Sequence, residues 1–145
     1  MKTPPSSSTT GTTAARIGTG LLFAGSGLTK ITDPHALAEA ITRYDLVSPA
    51  LAQIGGHFLP WSEIVIGGAL LLNVWRSGAW LSACGFSALF MVAVASAWGR
   101  GLDISCGCFA TARTIDAASL LFNAALLAVT TWGLRTELRR ATLRD

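Results

Sequence analysis

The sequence predicts an all-α protein, a bundle of four transmembrane helices with both termini cytoplasmic. Three observations predict it. The chain has 145 residues, of which 51% are hydrophobic and only 13% charged, and its mean hydropathy is +0.51. That apolar material is too dense and too continuous for an ordinary soluble domain of this size. It is gathered into four stretches, about 14–31, 49–74, 78–98 and 115–134, each nearly free of charge over most of the roughly 20 residues that a bilayer-spanning helix needs. Finally, basic residues are distributed unequally between alternate loops. Placing the N-terminus inside puts Lys2, Arg16, Arg76, Arg135, Arg139, Arg140 and Arg144 in the cytoplasm against Lys30, Arg43, Arg100 and Arg113 outside, an excess of seven to four.

Residues 1–13, rich in Ser and Thr with Pro4 and Pro5, read as a disordered tail. The first span follows, with Gly20, Ala24 and Gly27 as a stripe of small residues on which another helix can approach closely. A cleaved signal peptide with 17–28 as its apolar core is the competing reading of this span. In the first loop, on the outer face, Pro34 starts a short surface helix with Leu37, Ala40, Ile41 and Tyr44 on one side. Ser48 and Pro49 read as the N-cap and first position of the second span.

In that second span Gly56, Pro60, Glu63 and Gly67 share one helical face. An ionisable residue in mid-span faces the bundle interior and marks a proton or substrate path. Glu63 is therefore a candidate proton relay during electron transfer, with a quinone as the candidate acceptor. The competing reading is a structural carboxyl bonded to Asn123 or Lys30. Lys30 and Asp33 themselves read as solvated interface residues. Cys84 lies well inside the third span and reads as a small buried hydrophobe. Trp61, Trp75, Trp80, Trp98 and Trp132 read as interface anchors and packing. The last segment, 135–145, is a basic cytoplasmic tail. Its charge follows the topology rule, so the net +3 calls for no nucleic-acid partner.

The third loop, also on the outer face, carries Cys106-Gly107-Cys108. Thiols this close can form a small strained disulfide, the labile and redox-active kind. Gly107 lets the backbone bend between them, and Arg100 and Arg113 flank the loop with positive charge that favours thiolate. On the extracytoplasmic side such disulfides persist. A permanent structural disulfide is the bland alternative, although a ring this short constrains the unfolded chain very little. Asp103, three residues earlier, reads as an Asx turn. A rival of another class is a zinc or copper site built from Cys106, Cys108, His35 and His57. The spacing lacks the usual zinc pattern, so the cysteines are assigned to thiol chemistry and no metal is expected. His35 then reads as a solvated loop residue and His57 as hydrogen-bonded within the bundle.

An ordered series of motifs runs along the chain: Arg16, Phe23-x-x-Ser26-Gly27-x-x-Lys30, Pro34, Ala40-Ile41-x-x-Tyr44-x-Leu46, Leu59-Pro60-x-x-Glu63-x-x-x-Gly67, and Arg100-Gly101-Leu102-Asp103-Ile104-Ser105-Cys106-Gly107-Cys108-Phe109. Over about 16–134 this series resembles the MauE family of four-helix membrane proteins, first associated with methylamine utilisation and part of a wider DoxX-like group. Ala110, where the family usually continues with Gly, and Phe122, where Arg is usual, depart from the pattern. The resemblance implies a multi-pass cell-membrane component of thiol redox chemistry. It also implies a thioredoxin-like partner and a role in maturing disulfide-containing proteins, methylamine dehydrogenase among them. A non-catalytic assembly subunit is the remaining alternative.

Overall fold

The computed structural model describes residues 7–102 and 117–143, and every regular element among them is helical. Five helices follow in order: α1 (Ser7–Lys30), α2 (Pro34–Arg43), α3 (Pro49–Leu72), α4 (Arg76–Gly99) and α5 (Ala117–Thr142). Helices α3, α4 and α5 are each long and apolar enough to cross a membrane. With 24 residues α1 is as long as α3 and α4. Its N-terminal turns, however, are Ser and Thr, and its uncharged run is closed in by Arg16 and Lys30, so it falls short of the hydropathy of the other three.

Local chemistry sets the helix starts. The Asp33 carboxylate accepts from Ala36 N at 2.9 Å with Pro34 next in line, and Ser48 Oγ accepts from Leu51 N at 3.4 Å before Pro49. In both cases a side-chain oxygen satisfies an orphan amide and proline fills a position whose N–H has no intrahelical partner. Asp33, read from sequence as merely solvated, is thus the N-cap of α2. At the other end of α3, Asn73 takes the left-handed conformation at φ 61° and its amide bonds back to Leu70 O.

Small residues decide which helices touch. A Cβ on Gly67 would lie 2.5 Å from Ala24 N, and one on Gly27 would lie 2.6 Å from Pro60 O. The stripe of Gly20, Ala24 and Gly27 therefore meets the Pro60 and Gly67 face of α3 backbone to backbone, in antiparallel register. Gly56 serves α2 in the same way, with Pro34 O at 2.6 Å from its notional Cβ. Between α4 and α5 the fit is ring against glycine: a Cβ on Gly133 would lie 2.4 Å from the Trp80 indole. Trp80 is 2% exposed and packs with Phe23, Ile66, Leu70, Ala79 and Ala83 in the apolar core, so of the five tryptophans it is the packing residue, while the other four are exposed.

Helical structure extends into both terminal segments among the described residues. Helix α1 starts at Ser7, within the stretch expected to be disordered, and Thr12 is buried, accepting from Arg140 Nη2 at 3.0 Å. Helix α5 runs on to Thr142 through the basic segment. There Glu137 is buried and accepts from Arg76 at 2.5 Å and from Arg140 at 3.1 Å. This three-residue ion cluster ties α5 to the start of α4.

Candidate functional site

One turn beyond the Gly27–Pro60 contact the bundle encloses two charges. Lys30 Nζ donates to Glu63 Oε1 at 2.8 Å and to Oε2 at 3.1 Å, and the two residues are 8% and 2% exposed. Their meeting follows from the helix pairing. Side chains lean toward the N-terminus of their own helix. On antiparallel helices in contact at Gly27 and Pro60, Lys30 and Glu63, each one turn beyond its contact residue, lean back toward each other.

Taking both charges out of water costs several kcal/mol per ion, which their attraction offsets only when the geometry is good. Here the contact is bidentate, and Nζ also sits 5.0 Å from the centre of the Phe90 ring, where the electron-rich face favours a cation. The pair lines a cavity of about 40 Å³ together with Ser26, Phe90, Phe122 and Asn123. That is room for one or a few water molecules at roughly 10–15 Å³ each. Asn123 is buried and donates through Nδ2 to Ser119 O at 2.8 Å. The arrangement is a carboxylate, a positioned ammonium and space for water, walled by aromatic rings inside an apolar bundle.

Of the two structural partners expected for Glu63, Lys30 is the one that binds it. The reading of Lys30 as a solvated interface residue is corrected: its side chain folds one turn back into the bundle. The phrase Ser26-Gly27-x-x-Lys30 held the available signal, a small residue one turn before a cation at the end of an apolar run. Phe90 had no comparable signal.

Cys106 and Cys108 lie outside the described residues, as do Asp103 and Arg113. Arg100, expected to lend its charge to the cysteine loop, donates through Nη2 to Tyr44 O and through Nε to Ser96 O at 3.3 Å. It fastens the end of α4 to the turn after α2. Arg16 does similar work at the other end of the bundle, donating to Leu70 O and, at 3.0 Å, to Leu71 O, the last carbonyls of α3. Cys84 is half-buried with Sγ 3.5 Å from Thr131 Oγ1.

His35 and His57 are both exposed, with ring centroids 5.7 Å apart. His57 turns outward, and its Nδ1 lies 3.0 Å from Gln53 O of its own helix. Among the described residues, no three His, Cys, Asp or Glu side chains converge as a metal site. A second, larger cavity of about 230 Å³ lies between α2, α3 and α4. It is lined by the apolar side of α2, Leu37, Ala40, Ile41 and Tyr44, and by Leu59 and Phe90.

No curated protein and no solved structure matches the chain. A family model does, over residues 8–136, described as methylamine utilisation protein MauE. That span takes in all of α2, α3 and α4 and most of α1 and α5. The chain is a multi-pass membrane protein belonging to the MauE family.

Proposed function

We propose that this protein is a four-span thiol–disulfide redox component of the cell membrane, with both termini cytoplasmic and Cys106-Gly107-Cys108 on the extracytoplasmic side. The seven-to-four distribution of basic residues supports that orientation. In the outer compartment Cys106 and Cys108 exchange disulfides with a thioredoxin-like protein that serves the maturation of disulfide-containing proteins. The matching family is described by methylamine utilisation, and the motif resemblance makes methylamine dehydrogenase the first substrate to test.

In each cycle, two thiols become one disulfide and release two electrons and two protons. These reduce a quinone to its quinol, or open a disulfide of the substrate protein to two thiols. The observation that carries the reading is the buried Lys30–Glu63 pair. Intramembrane ions are expensive and mark proton or substrate paths, and this pair is buried, bidentate and beside a water-sized cavity. In this scheme Glu63 takes up and passes on a proton, and Lys30 holds the carboxylate in place.

Trapping of mixed disulfides tests the reading. Cys106→Ser and Cys108→Ser variants are produced in membranes, quenched with acid and separated without reductant. One of the two captures a thioredoxin-like protein through the remaining thiol, and the double variant captures none. Absence of any mixed disulfide, with function surviving the double variant, leaves an assembly role instead.

A further inference from the structure

The two histidines, distant in sequence, are brought together by backbone contact. A Cβ on Gly56 would lie 2.6 Å from Pro34 O and 2.9 Å from Ala38 Cβ, so α2 and α3 touch at that point. The residue following each contact partner is a histidine. His35 and His57 consequently stand with centroids 5.7 Å apart and planes at 88°, on two elements that cannot easily shift apart.

His57 is also oriented. Gln53 O can only accept, so in the neutral ring the hydrogen bond to it places the proton on Nδ1 and leaves the lone pair on Nε2. Metal-ligating histidines are held in just this way, by a carbonyl on the far ring nitrogen. The spacing suits a shared ion. With metal–nitrogen bonds of about 2.0–2.1 Å and ring centres about 1 Å farther out, two imidazoles on one tetrahedral ion stand about 5 Å apart. An edge-to-face contact alone is worth only about 0.5–1.5 kcal/mol. On the outward face of α3, His57 stands among exposed Gln53, Ile54, Phe58 and Trp61.

We propose that His35 and His57 form a two-imidazole site for a borderline divalent transition metal, Cu(II) bound more tightly than Zn(II). Two protein ligands leave the remaining positions open to water or to an incoming thiolate. The site lies on the outer surface of α2 and α3, apart from the Lys30–Glu63 cavity, and uses neither loop cysteine. Its failure would leave the redox reading untouched.

The test uses the full chain in lipid nanodiscs, purified through a tag without histidine, with thiols blocked by N-ethylmaleimide. Cu(II) is titrated and followed by electron paramagnetic resonance. One Cu(II) per chain with coupling to two imidazole nitrogens is expected. His35→Ala and His57→Ala should each leave one nitrogen and weaken binding at least roughly tenfold. Both side chains are exposed, so unchanged helical circular dichroism confirms the fold of each variant. The proposal is overturned if the blocked protein retains no Cu(II), or if both variants keep the wild-type spectrum and affinity.

Discussion

Lys30 and Glu63 form a bidentate ion pair, 2.8 and 3.1 Å long, between the end of α1 and the middle of α3. Most buried ion pairs add little net stability, because desolvation offsets their attraction, whereas removing one partner strands the other. This asymmetry separates a structural pair from a functional one.

Lys30→Met and Glu63→Leu, made singly, should each destabilise the bundle by about 3–5 kcal/mol, because one buried charge is left without its partner. The double variant should recover most of that loss. Denaturation in mixed detergent micelles measures both. On the reading proposed above, the stable double variant remains inactive in thiol oxidation.

Helix spacing gives a second prediction. Gly67→Ala sets a methyl against the backbone of Ala24, which cannot rotate away, and should cost about 1–3 kcal/mol through overpacking. A Cβ on the adjacent Gly68 meets nothing within 4 Å. Gly68→Ala should therefore be neutral or mildly stabilising, and unfolding of the two variants side by side checks the helix contact directly.

Trp80 and Gly133 lock α4 to α5. Gly133→Ala forces the indole to move, so the near-ultraviolet circular dichroism of the tryptophans should change along with stability. Trp80→Ala should cost about 3–5 kcal/mol, the usual range for emptying such a site.

The Arg76–Glu137–Arg140 cluster is partly exposed, with Arg76 and Arg140 side chains near 35% and 36%. Solvent screening limits its worth to about 1 kcal/mol. Glu137→Gln should leave global unfolding nearly unchanged while amides of 135–142 exchange faster. Added salt should mimic the substitution.

Much of the bundle is legible in the sequence because its signals are local. The cap at Ser48, proline at a helix start, and small residues one turn apart on α1 and α3 all speak for themselves. Glu63 stands out because a membrane makes it costly. Lys30 reads wrongly: a lysine at the end of an apolar run looks like an interface residue until the antiparallel pairing turns its side chain inward. The Ser/Thr-rich start of α1 has weak intrinsic reason to be helical, and its order follows from burial of Thr12 against Arg140, a contact across nearly the whole chain. That same polar composition leaves α1 less apolar than the three helices with membrane-spanning character. The His35–His57 approach depends on a glycine contact between two helices, which spacing alone does not reveal.

The most direct measurement is the rate at which the reduced Cys106 and Cys108 pair is reoxidised in membranes containing quinone, in wild type and in Glu63→Gln. Glutamine keeps the size and can still accept from Lys30 but cannot carry the proton, and a positioned acid or base contributes about 10²–10⁴-fold. A slowing of at least about a hundredfold is expected, with mixed-disulfide formation to the thioredoxin-like partner intact. An unchanged reoxidation rate in a correctly folded Glu63→Gln protein contradicts a proton relay at Glu63.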